Sequence, residues 1–391
     1  MFNFIFLFFL AFFPRFGNID FVFLVAFLIL FYDILNKRTL ILNKFFLNSI
    51  FIIFLILPFS FFSFLLNQEV FGLFRLTKLI LLLLLVPYTL NRIDEIFVYK
   101  WFTIFLLLNI SILYIEYFNI FGLRITVNSI QDFLHLGREV TYRAKGLFPG
   151  YSAAGVSCGF ISLYALFFTL KGSINKLYGV PLFVFSYLAT FFTGRTGIFI
   201  ASFGIIIFVI YFYRKIFNLN LILRLIIICF IIHLIYPLIF PHLDLENITI
   251  TSIRTFEVFL NYHDSGSFSS ESTTQVARTF KLPDNISVLL LGNGYQHWST
   301  QAIHDNIHCS DSGLVQTLFI YGLFSLILYY FPLFYIYLVH LRLNFSGSSY
   351  FYIITTIPLA LISEIKGHYV YSNLIFVLVL FPIFYRNSKI L

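Results

Sequence analysis

The chain has 391 residues, of which 60% are hydrophobic and only 11% are charged, and its formal net charge is +8. Soluble domains carry about 25% charged residues, so this composition excludes a water-soluble globular protein and predicts an integral membrane protein. The apolar runs are continuous over about 20 residues rather than alternating over about ten, which predicts an all-α, polytopic fold of membrane-spanning helices.

Hydropathy predicts about twelve spanning helices. In chain order they lie near 2–14, 18–35, 45–66, 71–90, 96–118, 148–170, 177–193, 196–213, 220–240, 312–339, 350–363 and 370–385. The first run, MFNFIFLFFLAFF, has neither a basic leader nor a small-residue cleavage site, so we expect a retained span rather than a signal peptide.

The distribution of lysine and arginine predicts the orientation, because cytoplasmic connections of membrane proteins are enriched in these residues. Of the 25 cations, thirteen fall in the C-terminal tail or in connections on one side of the predicted bundle, namely 36–44, 91–100, 171–176, 214–224 and 341–349. The short connections and helix ends of the opposite side hold Arg15, Arg75, Lys78, Arg195 and Lys366. We therefore expect both termini to lie in the cytoplasm.

Two connections are too long to be simple turns, residues 119–147 and residues 242–311, and in this orientation both face outward. The whole chain, 1–391, is predicted to form a single helix-bundle domain that includes both loops. The second loop concentrates acids and histidines, with five of the nine histidines of the chain. Because a loop of this length in a compact bundle is usually functional, we expect chemistry there.

Two basic residues of the first loop, Arg143 and Lys145, stand in the stretch YRAKGLFPG. Outward-facing positive charge opposes the general trend, and an anionic lipid-linked substrate would account for it, because arginine presents a planar fork to phosphate. The alternative is a solvated loop end.

Three further arginines are candidate phosphate ligands. Arg195 lies between two predicted spans in TGRTG (193–197), where two glycines permit a tight turn that brings backbone N–H groups beside the guanidinium. The alternative is a helix-end arginine that extends to the membrane interface. Arg254 and Arg278, the only arginines of the second loop, either bind substrate or pair with neighbouring acids.

The second loop ends in LLLGNGYQHW (289–298). Its GNG sequence predicts a tight backbone turn near a ligand. Trp298 is a candidate for stacking on a sugar ring, and the alternative is anchoring at the membrane interface.

The stretch HDNIHCSDSG, which starts at His304, leads into the next span. His304, His308 and Asp311 are candidates for a general base held at the bilayer surface. Asp311 and Ser312 also stand where they would cap the following helix. HDNIH lacks the glutamate of the HExxH motif and an evident third ligand, so we expect no metal.

These motifs resemble those of the bacterial O-antigen (surface polysaccharide) polymerases. The similarity is carried by the TGRTG turn between two spans, the GNG turn late in a long outer loop, and SDSGLVQTLFIYG (310–322) entering a helix. The twelve-span layout with two large loops is similar too. The resemblance implies a GT-C-like fold related to that of the O-antigen ligases, in the bacterial inner membrane, with both large loops periplasmic.

The resemblance implies a glycosyltransferase that needs no metal or other cofactor. A growing glycan on undecaprenyl pyrophosphate would pass to the sugar of a lipid-linked repeat unit. Basic residues would stabilise the leaving pyrophosphate: Arg143, Lys145, Arg195, Arg254 and Arg278. One of His304, His308 and Asp311 would accept the proton of the attacking hydroxyl. The implied partners are the lipid-linked oligosaccharide, membrane lipid and a chain-length regulator protein, and no nucleic acid.

Two alternatives stay open. An O-antigen ligase would use the same donor but a lipid A core acceptor. A polysaccharide flippase or another transporter is a different class, and we would expect it to carry charges along many spans and to have short outer loops. Because this chain has few charges within its predicted spans and one very long loop, we favour the polymerase.

Overall fold

The computed structural model describes residues 2–12, 15–16, 19–38, 44–67, 69–134, 143–212, 282–294, 312–342 and 348–386, together with residues 253, 257, 261–263, 266, 274 and 280. The first helices are α1 (Phe2–Phe12), α2 (Phe21–Leu35), α3 (Lys44–Phe54), α4 (Leu57–Asn67), α5 (Phe71–Arg92), α6 (Glu95–Phe118) and α7 (Arg124–Phe133). They are followed by α8 (Tyr151–Lys171), α9 (Lys176–Thr193), α10 (Arg195–Tyr211), α11 (Ile286–Leu291), α12 (Gly313–Arg342), α13 (Ser348–Ser363) and α14 (Asn373–Arg386). Two-residue strands, β1 (Arg15–Phe16) and β2 (Ile19–Asp20), pair antiparallel between α1 and α2.

The apolar helices are those of an α-helical membrane protein. Within the part of the chain that the structure describes, six segments are long and apolar enough to cross a bilayer: Lys44–Leu65, Phe71–Arg92, Glu95–Phe118, Tyr151–Lys171, Lys176–Thr193 and Gly313–Val339. At 1.5 Å per residue, about 20 residues cover a hydrocarbon core of about 30 Å. Every predicted span except 220–240, which lies outside the described residues, overlaps an apolar helix, and the span 45–66 overlaps two, α3 and α4. That all twelve cross the membrane remains a prediction.

The first predicted loop is partly helical. Asn119 adopts a left-handed conformation, with φ 48°, and ends α6. A short 3-10 turn (Ile120–Gly122) and α7 follow before residue 134. In the second predicted loop, the structure describes α11, the turn after it and isolated positions.

Packing divides the chain into two compact units: Met1–Val22 with Asp94–Leu260, and Phe23–Ile93 with Asn261–Leu391. In the first unit, α8 packs against α9 and α10, α9 packs against α6, and α6 packs against α1. The buried Asn109 of α6 donates from Nδ2 to the carbonyl oxygen of Ala11, 2.7 Å away. This bond ties the end of α1 to the middle of α6.

Helices α8 and α10 cross at backbone contact because glycine faces glycine. A Cβ added to Gly155 would lie 2.7 Å from the carbonyl oxygen of Gly194, and a Cβ added to Gly197 would overlap the carbonyl oxygen of Gly155. Gly155 and Gly159 form a GxxxG pair on α8, a pattern that lets membrane helices approach closely. The turn at Gly194 is therefore held directly against the first turns of α8.

In the second unit, α12 is broken at Gly322. Its backbone there has φ 80° and ψ 174°, a conformation available to glycine without strain. The turn Gly292–Gly294, predicted from the sequence as GNG, fills the break. Asn293 N–H donates to the carbonyl oxygen of Phe319 at 2.7 Å, and Gly294 N–H donates to the next carbonyl oxygen at 3.1 Å. Two carbonyl groups that the break would leave unpaired are thereby satisfied.

Candidate functional site

Three of the basic residues selected from the sequence lie together at the turn between α9 and α10. Arg143 donates from Nε to the carbonyl oxygen of Thr193, 3.0 Å away. Arg143 and Lys145 both place their cationic groups over the ring of Tyr151, at 5.3 and 5.8 Å from its centre. Arg195 begins α10 two residues after Thr193. We call Arg143, Lys145 and Arg195 the cation cluster.

A buried carboxylate holds the loop that carries two members of this cluster. Glu116, near the end of α6, accepts at Oε2 from the backbone N–H of Lys145 at 3.1 Å and of Gly146 at 2.6 Å. Gln131 of α7 donates to the carbonyl oxygen of Gly146 at 2.8 Å. Lys145 is only 1% exposed, so it does not belong to a solvated loop end.

Two acids balance the cation cluster in part. Arg195 Nη1 lies 2.7 Å from Glu257 Oε2, with side chains 25% and 23% exposed. Glu116 lies close enough to Lys145 for electrostatic attraction. Glu257, one of the acids of the second predicted loop, therefore belongs to the surroundings of the site.

The N-terminal ends of α8 and α10 adjoin the cation cluster. A Cβ added to Gly194 would lie 3.2 Å from the carbonyl oxygen of Tyr151, the first residue of α8. Neither helix has a side-chain hydrogen bond at its N-cap. Helix N-termini carry partial positive charge, which adds to that of the three cations. The arrangement suits an anion with several oxygen atoms, such as a phosphate.

The remaining predicted site residues lie outside the described residues: Arg254, Arg278, Trp298, His304, His308 and Asp311. Their roles stay predictions. Ser312, at the edge of this stretch, is described. Its carbonyl oxygen accepts from Gln316 N–H at 2.9 Å, which places it at the N-cap of α12, and its hydroxyl donates to the carbonyl oxygen of Glu364 at 3.3 Å.

A second polar group, in the second unit, was not selected from the sequence. Glu364 follows α13 and has no exposed surface. Its Oε1 accepts from the backbone N–H groups of Tyr369 and Val370, both at 2.6 Å. Its Oε2 accepts from the Tyr330 hydroxyl at 2.5 Å and lies 3.0 Å from His368 Nδ1. Four donors therefore surround one buried carboxylate.

His368 connects this carboxylate to Arg75 of α5. Arg75 Nε donates to His368 Nε2 at 3.2 Å, and the Tyr329 hydroxyl lies 2.9 Å from the same nitrogen. Arginine can only donate, so Nε2 accepts and the proton of a neutral ring lies on Nδ1, from which it is donated to Glu364. We call Arg75, Tyr329, Tyr330, Glu364 and His368 the Arg75 network.

The ionisation of the pair follows from these contacts. Burial lowers the pKa of His368, the Arg75 guanidinium lowers it further, and Glu364 only partly opposes them. Burial alone would raise the pKa of Glu364, but His368, the Tyr330 hydroxyl and the Val370 amide together hold it below its usual value. Near neutral pH, His368 is therefore uncharged and Glu364 is charged.

The sequence contains a signal for the Arg75 network that the sequence analysis did not use. Glu364 and His368 stand four residues apart in SEIKGHY, a short polar connection between two apolar runs. Ionisable residues next to membrane spans are costly to bury and mark functional or paired sites. For Arg75, the sequence predicted only a cation on the outer side of the membrane.

We expect Tyr330→Phe to destabilise the second unit without removing its charges. The hydroxyl donates to a charged, fully buried carboxylate, and hydrogen bonds of this kind contribute about 1.5–3 kcal/mol. The purified variant should show a lower midpoint of thermal unfolding than the wild type. Size-exclusion chromatography in detergent measures this midpoint. Tyr335→Phe is the matched control on the same helix, because its hydroxyl bonds the exposed Asn48. Equal midpoints for the two variants would contradict this.

No family model, curated protein or solved structure matches the chain. Functional conclusions therefore depend on the chemistry of the cation cluster and the Arg75 network, together with the resemblance in sequence.

Proposed function

We propose that the chain is a surface-polysaccharide polymerase, a membrane glycosyltransferase that transfers a growing glycan from undecaprenyl pyrophosphate to a lipid-linked repeat unit. The observation that carries the proposal is the cation cluster, where Arg143, Lys145 and Arg195 meet beside two helix N-termini. A leaving pyrophosphate gains negative charge as the glycosidic bond breaks, and preorganised cations stabilise that charge.

The proposed reaction takes place at the outer face of the bacterial inner membrane, with both termini in the cytoplasm. The acceptor hydroxyl attacks the anomeric carbon of the donor, the bond from that carbon to the phosphate oxygen breaks, and its electron pair leaves with the lipid pyrophosphate. The hydroxyl proton passes to a base, for which His304, His308 and Asp311 remain the candidates. The balanced products are a longer lipid-linked glycan and a free lipid pyrophosphate.

Two features of the cation cluster support the binding of a pyrophosphate. Arginine at Arg143 and Arg195 offers planar donor pairs that match phosphate oxygens. Lys145 is buried beside an aromatic ring, so its amine is screened little by water.

A transporter is the second candidate, and two observations favour it. The break of α12 at Gly322 and the buried ionisable groups of the Arg75 network are features that transporters place at substrate sites. In this chain, however, the GNG turn already occupies the carbonyl groups next to the break. We therefore rank the transporter, and the ligase, below the polymerase.

Deletion of the gene in its source strain distinguishes the three functions. For a polymerase we expect lipopolysaccharide that carries single repeat units and no long chains on a gel, with long chains restored by the wild-type gene. If the chain is a ligase, its deletion mutant would attach neither single repeat units nor long chains to the lipid A core and would accumulate lipid-linked polymer. A flippase mutant would retain single lipid-linked units on the cytoplasmic face. Either of the last two patterns, or an unchanged gel, would refute the polymerase.

A further inference from the structure

Arg75 is a partly buried cation whose charge is not balanced by a direct ion pair. Among the described residues, no carboxylate oxygen lies within 4.0 Å of its guanidinium. Its Nε is engaged by His368 Nε2 at 3.2 Å, and its guanidinium carbon lies 5.9 Å from the centre of the Tyr329 ring. A buried charge without a counter-charge in contact is costly in a membrane protein.

The contacts of Arg75 fix its orientation without neutralising it. His368 is uncharged, and the nearest acid, Glu364, lies on the far side of the imidazole ring, where four donors already bind its oxygens. A guanidinium has five N–H donors. His368 accepts from the one on Nε, and the Tyr329 side chain is hydrogen-bonded to the same guanidinium. The donors that these two contacts leave form a planar fork that matches oxygens of a phosphate.

A second cation stands nearby. Lys78 lies one helical turn further along α5, close enough to His368 to lower its pKa. Its Nζ lies 5.9 Å from the centre of the Phe23 ring. The outer end of α5, in the orientation predicted from the sequence, therefore presents two cations to the level of the lipid headgroups.

We propose that Arg75, positioned by His368 and Glu364 and assisted by Lys78, binds the pyrophosphate of a second lipid-linked substrate. The inference rests on the proposed function, because a polymerase handles two lipid pyrophosphates, one on the donor glycan and one on the acceptor repeat unit. The cation cluster serves one of them. The Arg75 network lies within the second unit. Together with Lys78 it offers the same chemistry, an arginine fork with a neighbouring lysine.

The test is the number of pyrophosphate lipids bound by the purified full-length chain in detergent micelles. The probe is a radiolabelled short-chain prenyl pyrophosphate, measured by equilibrium binding. We expect two sites in the wild type, one in Arg75→Met, one in Arg195→Ala, and none in the double variant. Lys100→Met is the control, because Lys100 is an exposed cation of α6, and it should retain both sites.

Further variants separate binding from folding. Arg75→Lys keeps the charge without the fork, and we expect its second site to weaken at least tenfold while the protein elutes as the wild type does. His368→Gln retains an acceptor for Arg75 Nε and should weaken that site less. Excess inorganic pyrophosphate should displace the probe from both sites if the headgroup is recognised. If inorganic pyrophosphate displaced the probe from neither site, the protein would recognise the prenyl tail rather than the pyrophosphate. That result would overturn the inference.

Two other results would also overturn it: a single site in the wild type, or two sites in Arg75→Met. These outcomes are independent of the gene deletion. An unchanged gel profile would refute the polymerase function but would not alter the measured number of binding sites. Finding no second site would refute the role of Arg75 but would not refute the polymerase function.

Discussion

Replacing Arg195 with alanine is expected to remove long glycan chains while leaving the protein at its normal level in the membrane. Arg195 begins α10 two residues after Thr193, whose carbonyl oxygen binds Arg143, and its Nη1 pairs with Glu257 Oε2 at 2.7 Å. Loss of a preorganised donor to a developing anion reduces turnover by about 100- to 1,000-fold. Arg195→Lys should also lose most activity, because the ammonium keeps the charge but not the planar donor pair.

The measurement is a gel profile of lipopolysaccharide from a deletion strain that expresses each variant, with protein level scored by immunoblot. Arg124→Ala is the matched control, an arginine at the start of α7 and outside the cation cluster. Glu257→Gln keeps a polar partner for Arg195 and should retain long chains. Long chains at normal abundance in Arg195→Ala, with normal protein level, would show that Arg195 does not bind the pyrophosphate.

Replacing Gly197 with valine is expected to prevent folding of the first unit. A Cβ at Gly197 would overlap the carbonyl oxygen of Gly155, and a backbone atom cannot rotate away as a side chain can. Helices α8 and α10 would have to separate, which should cost more than the about 1–3 kcal/mol usual for an overpacked core. The separation would also displace Gly194, and with it the cation cluster.

The yield of monodisperse protein after detergent extraction measures this effect. Phe199→Val introduces the same side chain two residues further along α10, at a position that is 51% exposed, and it should leave the yield near that of the wild type. If Gly197→Val were recovered as well as Phe199→Val, the close crossing of α8 and α10 would not be required for the fold.

The sequence was sufficient to predict most of the helices. Continuous apolar runs have one low-energy solution in lipid, so α5, α6 and α8 begin and end within a few residues of their predicted limits. The GNG turn was predicted as well, but its partner was not. The break of α12 depends on where another part of the chain supplies N–H donors, which no local pattern contains.

The candidate site was predictable residue by residue but not as an arrangement. Arg143 and Lys145 were selected as unexpected cations in a loop predicted to face outward, and Arg195 because it lies in a glycine turn between two predicted spans. No relation between the three was predicted. Their proximity depends on Glu116, which holds the loop from the end of α6, and on the glycine crossing that places the TGRTG turn against α8. A GxxxG pattern in α8 was visible in the sequence and would have indicated that close approach.

The Arg75 network could not be found from spacing alone. Its members come from α5, from the middle of α12 and from the connection after α13, so only the folded chain brings them together. Glu364 and His368 are four residues apart, but Arg75, which is hydrogen-bonded to His368, is nearly 300 residues away in the sequence. Such long-range pairs are set by packing rather than by local sequence.

The GNG turn has a consequence for the part of α12 that precedes Gly322. At one end of this half-helix, Gly294 N–H is bonded to the Ile320 carbonyl oxygen. At the other end, Gly313 N–H and the Ser312 hydroxyl are both bonded to the Glu364 carbonyl oxygen. The half-helix is therefore fixed at both ends by other segments of the second unit, and it cannot slide along its own axis without breaking hydrogen bonds at both ends.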